Sequence, residues 1–272
     1  MKVLIVHAHP EPKSLNGSLT AFAVETLGGL GHAVQVSDLY AMRWKAVADA
    51  EDFRDRASPE RLAYAAESRN AYRGGTQAPD VLAEQRKLLW ADAVILQFPL
   101  WWFSMPAILK GWFERVYAYG FAYGVGPHGG ERWGDRYGEG TLLGRRAMIS
   151  TTIGGREPHY GPRGVNGALD DVLVPIQHGM LFYPGMAVLD PFVVYQADRL
   201  GAEEWPAIAE RYRARLETLF TDAPIPYRRQ NGGHYDTRQV LKDGLGDGAG
   251  GTRIHLVQPG DPAQTPVAVA TV

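Results

Sequence analysis

Five segments of the chain are predominantly apolar without strict alternation: Val3–Ala8, Ala33–Ser37, Asp92–Phe98, Arg146–Thr151 and Met186–Val194. A strand buried on one face alternates apolar and polar residues. A strand buried on both faces does not, so these short runs predict a parallel sheet covered on each side. Between them stand segments with helical spacing: Leu19–Leu30 closed by Gly31, Pro59–Tyr72 ended by Gly74–Gly75, Pro79–Trp90, Pro106–Tyr119, Gly167–Met180 with a bend at Pro175, and Ala202–Phe220. In Pro106–Tyr119 the residues Ile108, Leu109, Trp112, Phe113 and Val116 share one side, as do Ile208, Tyr212, Leu216, Leu219 and Phe220 in the last segment. Parallel neighbours need crossovers. The alternation therefore predicts an α/β fold, a doubly wound five-stranded parallel sheet with helices on both faces. The pattern fills residues 1–221 as one domain. Residues 222–272 are rich in Gly, Pro and charge, carry one apolar patch at Ile254–Val257, and are expected to form an extended tail without a core of its own.

Composition narrows the chemistry. With 272 residues, 45% of them hydrophobic and 21% charged, the chain can bury a sizeable core as a globular protein. A net charge of −2 with no basic block gives no reason to expect nucleic acid or an anionic membrane as partner. The N-terminal run Val3–Val6 is too short for a signal peptide, and no window approaches the ~18 apolar residues of a membrane span. A cytoplasmic location without membrane insertion is the expectation. Cysteine is absent, which excludes disulfides, thiol catalysis and Cys-based metal sites. His128, His159, His178, His234 and His255 lack ligand spacing, so no metal is expected.

In open parallel sheets, ligands bind beyond the carboxyl ends of the strands at the switch point. Three loops leave carboxyl ends there with unusual composition. HPEPKSLNGS follows the first strand and precedes a helix, whose N-terminal amides suit a phosphate; Ser14, Asn16 and Ser18 add polar groups. Helix capping alone would also account for Ser14 and Asn16. PLWWFSMP follows the third strand and offers a flat aromatic surface, or else a local hydrophobic cluster. TIGGREPHYGPRGVN follows the fourth, with backbone at Gly154–Gly155 open to close approach and His159, Tyr160 and Asn166 beyond it. There is no G-x-G-x-x-G fingerprint and no P-loop. A phosphate cradle, an aromatic wall and a Gly-Gly amide edge together suit a planar phosphorylated ligand, and flavin is the first candidate.

Several stretches carry a further signal: VSDLYAM (36–42), AES around Glu67, PD-V-AEQ-KL (79–88), FPL-WF--PAILKGWFERV (98–116), GFAY (120–123), TT-GG----Y (151–160) and PIQ-G (175–179). In these the chain resembles the flavodoxin-fold NAD(P)H:quinone oxidoreductases of the DT-diaphorase type. The resemblance implies a flavodoxin-like sheet and a homodimer with shared active sites, one FAD rather than FMN per subunit, NAD(P)H as co-substrate and a quinone or similar small aromatic acceptor. Carried over by position, His9, Leu15, Asn16 and Ser18 would meet the phosphate and adenosine side. Pro99, Leu100, Trp101, Trp102 and Phe103 would line the isoalloxazine; Thr152, Ile153, Gly154 and Gly155 would meet its pyrimidine edge; Tyr160 would donate near O2. Trp102, Phe103, Tyr123 and Tyr183 would wall a slot shared by nicotinamide and quinone. The resemblance also implies a tail that packs on the dimer partner.

The chain departs from that pattern in three places. Asn166 stands where the family relay has a histidine, and an amide cannot carry a proton at neutral pH. Ile153 intervenes between Thr152 and Gly154. Val125 replaces a second tyrosine after Tyr123, and residues 124–141 and the tail diverge. The expected reaction is two-electron, ping-pong hydride transfer, with Gly154, Gly155 and Tyr160 stabilising negative charge and Asn166 orienting Tyr160 or its loop. Azoreductase or nitroreductase activity through the same slot, and a non-catalytic flavin-binding regulatory protein, are the alternatives.

Overall fold

Residues Val3–Val6 of β1 (Lys2–His7) are fully buried at the centre of a parallel sheet. The computed structural model describes residues 1–129 and 132–267. β2 (Ala33–Asp38) and β3 (Ala93–Pro99) flank β1, and β4 (Arg146–Ile153) pairs with β3 over seven residues. The fifth position is held by two short segments on β4, β5 (Ala187–Val188) and β6 (Phe192–Tyr195). The order β2-β1-β3-β4-β5/β6 is the flavodoxin-like one. Within β1, Leu4 and Val6 enter one apolar core with Leu96, Trp112 and Phe113, while Val3 and Ile5 enter another with Leu19, Tyr212 and Leu216. The sheet is thus buried on both sides, which is why its strands do not alternate.

Five helices lie in the crossovers, α1 (Leu15–Gly29), α2 (Tyr64–Gly74), α3 (Pro79–Trp90), α4 (Ala107–Val116) and α5 (Leu169–Ile176), and α6 (Trp205–Glu217) follows the last strand and packs beside α1. Several boundaries differ from the sequence pattern, and four of the differences have a local reason. α1 begins at Leu15, not Leu19, because Ser14 caps it: the Ser14 hydroxyl accepts from Gly17 N–H at 3.2 Å. α2 begins at Tyr64 rather than Pro59, since Ser58 N–H and Ala57 N–H are held instead by the buried Glu67 carboxylate. After Pro175, which has no N–H to donate, α5 passes into a π-helical segment at Gln177–Phe182. The fifth strand is split where Pro191 interrupts the ladder.

The excursion after β2 is clamped onto α4. Arg115, 2% exposed in its side chain, donates to Asp52 at 2.8 Å and to Asp80 at 2.7 Å. Residues 225–265 of the tail make several contacts with their own chain. Ile225 N–H donates to Val188 C=O at 2.8 Å, Tyr227 is buried, and Trp133 Nε1 donates to Thr237 C=O at 2.9 Å. The Arg228 side chain is fully buried, on Asp261 at 2.8 Å, Ile254 C=O at 2.9 Å and His234 Nδ1 at 2.8 Å. A guanidinium buried so completely needs all of those partners, and they come from within the tail itself.

Candidate functional site

The loops after β1, β3 and β4 converge at the carboxyl edge of the sheet. The loop after β3 is the most unusual. Trp101 and Ser104 exchange both backbone hydrogen bonds, at 2.9 and 3.0 Å, closing a two-residue turn at Trp102 and Phe103. Both of those residues have left-handed backbone, φ 50° and 61°. That is the arrangement of a type I′ turn, which normally takes Asn-Gly. For large side chains each left-handed residue costs roughly 1–2 kcal/mol. The turn points its rings outward: Trp101, Trp102 and Phe103 are 42%, 95% and 50% exposed. A local hydrophobic cluster would have buried them; Trp102 packs on almost nothing in its own chain. Met105, immediately after, is buried and anchors the loop, and Leu100 N–H donates to Thr152 C=O at 2.8 Å.

The loop after β1 folds over the start of α1. Gly17 lies under Pro12, where a Cβ would sit 2.0 Å from the Pro12 carbonyl oxygen, so only glycine fits. His9 accepts from Glu11 N–H at 3.0 Å, and its ring lies 5.9 Å from that of Trp101. Ser14 caps the helix, Leu15 and Ser18 line a shallow groove along α1, and the first turn of α1 carries no carboxylate. Asn16 is different. It is 3% exposed and turned inward: its Nδ2 donates to Thr152 Oγ1 at 2.9 Å, and its Oδ1 accepts from Gln97 Nε2 at 2.9 Å. Both ends of its amide, and the Thr152 hydroxyl, are therefore committed to bracing the first loop against β3 and β4. Gln97 was not among the residues expected at the site. Its signal is that it is the one polar residue inside the run AVILQF. Nearby, His7 is buried, hydrogen-bonded to Thr20 Oγ1 at 2.8 Å, and shifted below the usual imidazole value chiefly by burial.

Beyond β4, Ile153 is buried and Gly154–Gly155 form a bend. Gly155 C=O accepts from Gln196 N–H at 3.0 Å. The Tyr160 ring lies against Gly155, where an added Cβ would come within 3.0 Å of it, and 6.1 Å from the Tyr195 ring. Asn166 donates its backbone N–H to His159 C=O at 3.0 Å. Among the described residues its side chain makes no hydrogen bond to Tyr160, so its visible role is to shape the loop.

Tyr123 and Tyr183 form a separate group. Tyr123 packs edge-on against Tyr119 at 5.1 Å, and burial raises its hydroxyl above the ordinary tyrosine value, with Tyr183 adding to the rise. Tyr183 packs against Tyr137 at 4.9 Å, and its carbonyl accepts from Tyr137 N–H at 2.8 Å. Among the described residues no aromatic pair or hydrogen bond joins this group to Trp102, Phe103 or Tyr160. Within one chain, then, the residues expected at the site fall into two separate groups. Tyr119 and Tyr137 belong to the second group, and neither carries a periodic signal along the chain.

A family described as flavodoxin-like fold matches residues 1–219. A ribosyldihydronicotinamide dehydrogenase-like protein of Penicillium crustosum is 52% identical over 257 residues, 94% of this chain and 95% of that protein. The ribosyldihydronicotinamide dehydrogenase (quinone) of Homo sapiens is 42% identical over 83% of this chain and 94% of its own length. A crystal structure of a quinone reductase candidate from Klebsiella pneumoniae superposes with a TM-score of 0.92 at 55% identity, covering 94% of this chain and all of that one. The two matches that cover 94% extend into the tail. Among the described residues, no helix is long and apolar enough to cross a membrane.

Proposed function

This chain belongs to the flavodoxin-like fold family, and from that premise we propose that it is an NAD(P)H:quinone oxidoreductase using FAD. One observation carries the reading: a strained turn displays Trp102 and Phe103 at the carboxyl end of β3, where such sheets hold flavin. Strain of this kind persists where the exposed groups have work to do.

The residues fit a flavin. The start of α1 offers amides, Ser18 and no competing carboxylate to a phosphate, with His9 beside it. Pro99 and Leu100 are fixed to β4, and Trp101 leans on His9, giving a firm edge for a flat ring system. The Gly154–Gly155 bend would let that ring system approach backbone closely, and the Tyr160 hydroxyl would serve as a hydrogen-bond donor at its pyrimidine edge. When bound, flavin supplies the hydride-accepting and hydride-donating chemistry. The chain positions the reactants and excludes water. Trp102 and Phe103 form one wall of a slot used in turn by the nicotinamide and the quinone, which is the ping-pong order. Tyr123 and Tyr183 form the opposite wall from a second copy of the chain; within one copy, no aromatic pair or hydrogen bond among the described residues joins them to Trp102 or Phe103. A homodimer follows. Residues 1–221 are the flavin-binding unit, residues 222–272 are its extension, and the protein works in the cytoplasm.

Two relatives' names add ribosyldihydronicotinamide as a second donor to test beside NADH and NADPH, since a third relative, of Rattus norvegicus, is named an NAD(P)H dehydrogenase (quinone). Purified protein should be yellow and bleach when a donor is added. Chromatography of the released flavin distinguishes FAD from FMN, and rates with NADH, NADPH and ribosyldihydronicotinamide rank the donors. A colourless protein that takes up neither flavin would overturn the proposal.

A further inference from the structure

The tail builds a second cavity, which borders the Tyr183 wall of the slot: Tyr137 packs on Tyr183 at 4.9 Å, and the Arg136 guanidinium lies 6.0 Å from the Tyr183 ring. The cavity encloses about 480 Å3 between the tail, the α5–π segment and the Arg136–Tyr137 corner. None of its lining residues belongs to the loops after β1, β3 or β4. Its walls are aromatic. The His178 ring stacks on Tyr137 at 4.7 Å and 25°, meets Tyr227 at 5.0 Å, and lies near-parallel to His255 at 5.8 Å. Tyr235 continues the wall, its hydroxyl on His255 Nδ1 at 2.9 Å.

The charge in the cavity has one sign. Among the described residues no carboxylate lines it. The nearby acids of α5 are engaged, Asp170 with Arg253 at 3.5 Å and Asp171 with Thr252 at 3.0 Å. Arg228 is spent on Asp261, His234 and Ile254. Arg136 donates its Nε to Gln230, and among the described residues its two terminal nitrogens have no partner. Burial lowers both lining histidines, His178 to about 4, so the rings are neutral at physiological pH and the guanidinium is the cation.

We propose that this cavity binds a small planar aromatic carboxylate, its ring against the Tyr137–His178–Tyr227 wall and its carboxylate on Arg136. The volume suits one or two fused rings. A guanidinium with two free donors is shaped for a carboxylate. The inference does not rest on flavin binding.

Isothermal titration calorimetry of the full chain as purified, with 2-naphthoate, tests it. The acid should bind, and its uncharged methyl ester should bind about 10-fold more weakly or worse, the value of one charge-assisted hydrogen bond. Arg136→Met should weaken the acid by a similar factor and leave the ester unchanged. His178→Leu, which removes a wall, should weaken both. Trp102→Ala should change neither, because that ring belongs to the other site. No binding, equal binding of acid and ester, or a loss in Trp102→Ala without one in Arg136→Met would overturn the proposal. The acid–ester comparison needs no variant, so a poorly folded Arg136→Met protein leaves the test intact.

Discussion

Asn16→Ala should damage both the stability of this protein and its grip on a flavin. Asn16 joins three elements: its amide nitrogen donates to Thr152 on β4 and its oxygen accepts from Gln97 on β3, each at 2.9 Å. Gln97 is 0% and Thr152 4% exposed, so neither can turn to solvent when the amide is removed. Gln97 Oε1 already lacks a partner. A buried polar group left unsatisfied costs ~1–3 kcal/mol, and the Thr152 hydroxyl can partly recover by rotating. The expected loss is therefore about 2–4 kcal/mol, a large share of the ~5–15 kcal/mol typical of a folded domain. Thr152→Val removes only the acceptor and should cost about 1–2 kcal/mol. Because both changes delete the same bond, the double variant should cost less than the sum by about 1 kcal/mol. Urea unfolding followed by tryptophan fluorescence measures all three, first without and then with added flavin. The added-flavin stabilisation should shrink in Asn16→Ala, since the first and third loops are no longer held at a fixed spacing. A loss below about 0.5 kcal/mol together with no coupling to Thr152 would refute the brace.

Three further outcomes follow from other sites. Trp102→Gly should leave thermal stability unchanged or raise it by up to ~1 kcal/mol, because glycine accepts the left-handed backbone without strain. Quinone reductase kcat/KM should nevertheless fall; a lower Tm with full activity would contradict both halves of that reasoning. Gly111→Ala should destabilise at or above the top of the ~1–3 kcal/mol usual for overpacking, since its Cβ would lie 1.9 Å from the Ala46 backbone oxygen. Unfolding midpoints in urea check this, and an unchanged midpoint rejects the clamp on α4. His178 is lowered to about 4, first by burial and then by His255, from an unfolded value of 6.5. Below pH 6.5 the unfolded chain takes up a proton that the folded one refuses, so stability is complete above 6.5 and declines as pH falls toward 4. The span is at most about 3 kcal/mol, less for the ring's residual solvent contact. His178→Phe should flatten the difference in urea midpoint between about pH 7.5 and about pH 4.5; an unaltered slope would place the proton uptake elsewhere.

The sheet was readable in the sequence because burial on both faces leaves a simple mark, a run of apolar residues bounded by turns. The split of the fifth strand was less readable. Pro191 is visible in the sequence, but the residues around it stay apolar, and composition does not say which backbone groups lose their partners. The three site loops could be placed by their position after the strands. Their internal geometry could not. Nothing in the letters Trp-Trp-Phe-Ser announces a turn with two left-handed residues, because local preference argues against it; the surrounding pairing of Trp101 with Ser104 and the burial of Met105 impose it. Asn16 was expected to face a ligand and instead faces the core, because its partners lie 81 and 136 residues away along the chain. The same long-range dependence hid the tail's seat.

The buried Arg228 has a consequence in time. Its carboxylate partner, Asp261, lies 33 residues further along the chain. At synthesis rates of about 5–20 residues per second, the guanidinium emerges roughly 2–7 seconds before the group that neutralises it. Until then it cannot enter its apolar seat without a large penalty, so the tail stays open while the sheet behind it is already able to fold. A chain interrupted between His234 and Asp261 would present that open state indefinitely, with Tyr227 and the α5 surface uncovered. The Arg228–Asp261 pair therefore ties closure of the tail to the synthesis of residue 261.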